Sequence, residues 1–130
     1  MPGPSVLVIN DYAPLRDFFR FNLKARGYEV VDIISTPDVY VKIDQMQPDL
    51  LILDLMIGGT DGFELCRKVC SEGGSAVIVI NMRAGDNDLL RCLEMGVDDY
   101  INRPFGVDEL MARIGAALRH RKKVKQPQPV

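Results

Sequence analysis

No uninterrupted apolar stretch in these 130 residues approaches the ~18 needed to cross a bilayer, although 47% of the chain is hydrophobic. Met1-Pro2-Gly3-Pro4 leads straight into Val6-Leu7-Val8-Ile9, with no basic segment ahead of a run too short for a secretory signal. A cytoplasmic location is therefore expected. Cysteine is scarce: Cys66 and Cys70 lie four apart and Cys92 stands alone. An odd count without paired spacing makes a poor disulfide framework, and the single histidine completes no zinc site. These cysteines read as small, half-buried apolar residues. His120 lies in a basic stretch away from any carboxylate cluster, which argues against a catalytic histidine. No G-x-x-x-x-G-K loop and no serine–histidine pair is present, so neither a nucleotide-binding P-loop nor a triad hydrolase is supported.

Excess charge of one sign is also missing, since the net charge is only -2. It is unevenly placed. Arg119, Arg121, Lys122, Lys123 and Lys125 contribute +5, which leaves -7 on the rest. An acidic body with a basic tail does not suit direct nucleic-acid contact. Charged residues at 26%, with 11 glycines and 8 prolines, exclude a disordered or collagenous chain. The length suits one domain with a substantial core.

Five apolar runs recur along the chain: Val6–Ile9, Tyr28–Ile34, Leu50–Leu53, Val77–Ile80 and the weaker Asp99–Ile101. The first, third and fourth are continuous rather than alternating, as strands covered on both faces require. Helical spacing fills the gaps. Leu15, Phe18, Phe19 and Leu23 mark a first helix stopped by Gly27, and Thr36-Pro37-Asp38 opens a second that reaches Met46. A third runs from Asp61 to Cys70, a fourth from Asp88 to Met95 before Gly96, and a fifth from Val107 to Arg121. Five strand–helix units with right-handed crossovers give an α/β fold, a doubly wound parallel sheet with helices on both faces. Residues 1–120 are expected to form the domain and 121–130 a basic, proline-containing tail or linker.

The ends of the strands carry polar residues: Asn10-Asp11, Asp54, Asn81 and Asn102-Arg103-Pro104. In this topology they converge where a doubly wound sheet binds its ligands. Asp11 and Asp54 offer hard oxygens suited to Mg²⁺, which takes one or two carboxylates and a phosphate oxygen. Arg103 and Asn81 supply a cation and an amide for a phosphoryl group.

Residues 5–119 resemble the receiver domain of two-component response regulators, closest to the winged-helix transcriptional class. The stretches that carry the likeness are Val6 to Asp11, Leu53 to Leu65 through Asp61-Gly62, and Gly96 to Phe105. The resemblance implies a flavodoxin-like five-stranded sheet in the order 2-1-3-4-5 with five helices, and a signalling switch rather than an enzyme. By this likeness Asp54 accepts a phosphoryl group from a sensor histidine kinase or phosphotransfer protein. Asp11, Asp54 and the backbone carbonyl of Met56 would hold Mg²⁺, Tyr100 would be the switch aromatic, and Pro104 would follow a cis bond. Asn81 and Arg103 occupy the phosphoryl-binding positions.

Several residues depart from the family pattern. Asn10 replaces an acid, so metal should bind weakly and Asn10 would act only through a metal-bound water. Asn81 replaces the switch hydroxyl, Arg103 the phosphate-gripping lysine, and Gly58 a proline. Two uses stay open, a phosphorylated switch and a pseudo-receiver that works as an interaction module without phosphorylation. A flavodoxin-like small-molecule binder is the remaining alternative. Asp98, Asp99, Glu109 and Arg113 match a dimer face built from the fourth helix, fifth strand and fifth helix. A DNA-binding output domain beyond the C-terminus would be the partner in the chain.

Overall fold

The computed structural model describes residues 3–55, 62–81 and 89–125, with side chains described as far as Arg121. Strands β1 (Ser5–Ile9), β2 (Glu29–Ile33), β3 (Leu50–Asp54), β4 (Ala76–Asn81) and β5 (Asp99–Asn102) alternate with helices. These are α1 (Ala13–Ala25), α2 (Val39–Met46), α3 (Gly62–Glu72), α4 (Leu89–Met95) and α5 (Val107–Lys125). The strands form one parallel sheet in the order β2-β1-β3-β4-β5. Continuous apolar runs end up in the middle: every residue of β3 and β4 is buried, while β2 at one edge is only half-buried.

The strand period of two divides these runs between two core layers. Val6 and Val8 face Leu15, Phe19 and Leu23 of α1 and Leu110 and Ile114 of α5. Leu7 and Ile9 face the other side, with Val39 of α2, Leu65 and Cys66 of α3, and Cys92 of α4. Each buried leucine or phenylalanine stabilises the fold by about 1.5–3 kcal/mol before ordering costs. Most helix ends follow local chemistry. Gly27 (φ 87°) and Gly96 (φ 90°) adopt the left-handed conformation just after α1 and α4, where a Cβ would be strained.

Some helix boundaries differ from expectation, while α2 ends at Met46 as its spacing predicts. Thr36–Asp38 forms a turn, with Val39 N donating to Thr36 O at 3.0 Å, and α2 begins only at Val39. Gln47, the residue that caps α2, takes a left-handed φ of 46° while its N–H donates to Ile43 O at 2.8 Å, and Pro48 follows. Helix α5 continues to Lys125, past Arg121, since arginine and lysine are good helix formers. The expected starts of α3 at Asp61 and α4 at Asp88 lie outside the described residues. Among the described residues no helix is long and apolar enough to cross a membrane.

Candidate functional site

Parallel strands bring all their carboxyl ends to one edge of the sheet. The order reverses between β1 and β3, and there the register pairs Ile9 with Leu53. The next residues, Asn10 and Asp54, are consequently side by side. Asn10 Nδ2 donates to Asp54 Oδ2 at 3.3 Å, and both side chains are buried, Asn10 at 3% exposure and Asp54 at 8%. A buried carboxylate is costly unless hydrogen-bonded or paired. The amide supplies part of that compensation.

Asn10 is itself held in place. Its Oδ1 accepts from Tyr12 N at 2.7 Å, and Arg16 Nη1 donates to its backbone carbonyl at 2.7 Å. Arg16 also lies 3.7 Å from Asp32 of β2, which receives two further bonds from Arg20 Nη1, each of 2.9 Å. Asp32 holds the Arg20 guanidinium above its ordinary pKa, first through that hydrogen bond and then through its charge. Sequence reasoning missed Arg16. Its trace was Asp32, an acid between the apolar Val31 and Ile33 of β2, which needs a cationic partner.

Asp11 is exposed, and one of its oxygens accepts from the Ser35 backbone N–H at 2.7 Å, in the loop after β2. Met56 lies outside the described residues. Among the described residues no group of three or more His, Cys, Asp or Glu side chains is arranged to hold a metal ion. The donor set is thus one buried and one exposed carboxylate at adjacent strand ends. That fits Mg²⁺, which keeps most of its waters and needs one or two carboxylates. Asn10 turns its N–H side toward Asp54, so its expected contact to a metal-bound water rests on the lone pair of Oδ1 that Tyr12 leaves.

At the ends of β4 and β5 the register pairs Asn81 with Asn102. Asn81 Nδ2 donates to Asn102 Oδ1 at 2.9 Å, and Asn81 O accepts from Arg103 N at 3.2 Å. Asn102 was legible as a polar strand end, but not as this partner. Arg103 is exposed, and its bond to Pro104 is cis. Tyr100 is already inward, 8% exposed, in the core layer that contains Cys92 and Val97.

The four residues expected at a dimer face are engaged within the chain. Asp98 Oδ2 accepts from Val77 N at 2.7 Å, tying the start of β5 to β4. Arg113 sits 3.0 Å from Asp99 and 3.2 Å from Glu109. The charge of Asp99, aided by Glu109, raises the Arg113 pKa. These are surface pairs, which generally contribute under about 1 kcal/mol.

A twisted parallel sheet wound on both sides, with a buried carboxylate at its switch point, defines a flavodoxin-like α/β domain. Residues 6–115 match the response regulator receiver domain family, and the chain belongs to it, as a phosphorelay signalling domain of two-component systems. Solved structures agree in fold. The receiver domain of a putative LuxO repressor from Vibrio parahaemolyticus superimposes with TM-score 0.83 at 22% identity, over 95% of this chain and 98% of that one. The BeF3-activated N-terminal receiver domain of RstA from Klebsiella pneumoniae gives 0.82 at 26% identity, over 88% and 98%. NtrX from Brucella abortus, solved with ADP, gives 0.85 at 22%, with 95% of this chain covering 28% of that longer one. Receiver domains generally bind Mg²⁺ at an acidic pocket and interact with kinases or phosphotransfer proteins.

Proposed function

We propose that Asp54 is a slow phosphoacceptor, and the observation that carries this reading is its burial at the end of β3 against the Asn10 amide. A carboxylate oxygen attacks the phosphorus of a phosphohistidine or small phosphodonor, the P–N or P–O bond breaks, and the leaving group takes the electron pair. Mg²⁺ held by Asp11 and Asp54, with Met56 lending its backbone carbonyl, would screen the approaching charge. Asn10 supplies no negative charge to that ion, so binding is weak. Arg103 offers a planar cation to the product, and Asn81 an N–H once its amide leaves Asn102. The domain turns over no substrate of its own beyond gaining and losing this group. It acts in the cytoplasm, on a DNA-binding output domain, and pairs weakly through α4, β5 and α5 when Arg113 exchanges Asp99 or Glu109 for a second copy.

A second reading, an interaction module that works without phosphorylation, is favoured by the Asn81–Asn102 bond and by the inward Tyr100. One experiment separates the two. The protein is incubated with Mg²⁺ and acetyl phosphate or phosphoramidate, and its intact mass is followed with Asp54→Ala as control. Gain of a single phosphoryl group that the control lacks is the expected result. Modification only after Asn10→Asp, Asn81→Thr and Arg103→Lys are combined supports the module, and none even then refutes Asp54 as acceptor.

A further inference from the structure

Strand β1 stops at Ile9, but the chain stays tied to β2 one residue further on, where Asn10 N donates to Ile33 O at 3.2 Å. In a parallel ladder of this register, the next N–H that would reach the Asn10 carbonyl is that of Ser35. Ser35 N donates instead to Asp11 Oδ1 at 2.7 Å. The carbonyl left over is taken up by Arg16 Nη1 at 2.7 Å, reaching back from α1. Arg16 thus stands in for a ladder bond, and the exchange releases the Ser35 N–H for the carboxylate.

Distances decide which partner of Arg16 matters most. Asp32 lies 3.7 Å from Arg16 Nε, beyond hydrogen-bond length, and already receives two bonds of 2.9 Å from Arg20 Nη1. Neutralising Asp32 therefore does not require Arg16, whose short, charge-assisted bond goes to Asn10 O. The side chains of Arg16 and Asp32 are only 18% and 17% exposed, so their attraction is weakly screened and Asp32 serves to aim the guanidinium. Because a peptide unit is planar, holding the Asn10 carbonyl restrains the ψ of Asn10 and the φ of Asp11 together. One of these residues sets its amide on Asp54 at 3.3 Å, and the other is the second acid of the site.

We propose that Arg16 is a positioning residue of the phosphoacceptor site, a role that rests on Asp54 being the acceptor. It sets the Asn10 amide against Asp54 and leaves Ser35 free to orient Asp11. Without the guanidinium, Asn10 O and Asp11 compete for the one Ser35 N–H. Where Ser35 pairs with Asn10 O, Asp11 loses its anchor and the Asn10 amide turns away from Asp54. Partners one step removed from the reacting or metal-holding atoms typically contribute about 10–100-fold in activity or metal affinity.

The test compares the intact chain with Arg16→Ala, Arg16→Lys and Arg20→Ala. Nitrogen-15 NMR without metal follows the Asn10 side-chain amide and the Ser35 backbone amide. In Arg16→Ala the Asn10 amide protons should exchange with solvent at least about tenfold faster and the Ser35 signal should move. Arg20→Ala leaves Asp32 its Arg16 partner and should change neither. Arg16→Lys should fall between parent and Arg16→Ala, because an ammonium can donate to Asn10 O but has no fork to lie along Asp32 as well. Modification by phosphoramidate with Mg²⁺, followed by intact mass, should slow about 10–100-fold in Arg16→Ala and partly recover in Arg16→Lys. Should Arg16→Ala not fold, Arg16→Lys takes its place, and parent-like amide exchange there overturns the proposal. Unchanged Asn10 and Ser35 signals in Arg16→Ala, an equal change in Arg20→Ala, or parent-like modification in Arg16→Ala would each overturn it as well. If the parent itself gains no phosphoryl group, the acceptor reading fails, and the two amide signals alone decide whether Arg16 positions the strand end.

Discussion

Substituting Asn10→Asp removes a buried N–H donor and sets a second carboxylate beside Asp54. With the present 3.3 Å separation, two negative charges would repel by about 5 kcal/mol at an effective dielectric of about 20. The pair escapes this by keeping one proton, which then bridges the two oxygens as the amide N–H does now. Holding that proton at pH 7 against an ordinary carboxyl value near 4 costs about 4 kcal/mol. Since this is less than the repulsion, the protonated pair wins. The folded variant binds one proton more than its unfolded chain above about pH 4, so its stability falls by up to ~1.4 kcal/mol per pH unit as pH rises. At pH 7 without metal it should melt roughly 15 °C below the parent, and near pH 4 the two should coincide. Mg²⁺ replaces the proton and should recover most of the loss, while it shifts the parent little. Thermal unfolding followed by circular dichroism at pH 4.5 and 7, with and without Mg²⁺, measures all of this. Equal melting at pH 7 in the absence of metal, with no larger response to Mg²⁺, would refute the shared buried site.

Two further substitutions probe how the scaffold holds that site. Asp98→Ala leaves the Val77 N–H of β4 without its 2.7 Å acceptor in a partly buried place, and a loss of about 1–3 kcal/mol in urea unfolding is expected; a change below about 0.5 kcal/mol would make Asp98 an ordinary surface charge. Gly62→Ala would place a Cβ 2.8 Å from Leu55 Cα, against backbone just after the Asp54 strand, and should cost about 1–3 kcal/mol and slow any phosphorylation; unchanged melting would show that α3 can shift freely.

Sequence alone determined the layers of this protein. Continuous apolar runs such as Leu50–Leu53 and Val77–Ile80 have only one stable destination, the middle of a sheet covered on both faces, and helical spacing between them dictates the wrapping. The polar strand ends were legible for the same reason, because Asn10, Asp54, Asn81 and Asn102 each interrupt a run that burial would otherwise continue. Strand order came from likeness to a family, since periodicity does not rank neighbours. Tertiary structure alone decided what each polar atom faces. Asn10 turns its N–H to Asp54, Asp11 reaches the Ser35 backbone, Asn81 joins Asn102, and Arg16 bridges Asn10 and Asp32. Hydrophobic burial is non-directional and roughly additive, so it survives projection onto a one-dimensional pattern. Hydrogen bonds depend on angles and on residues distant in the chain, and their partners emerge only once the sheet has set its register.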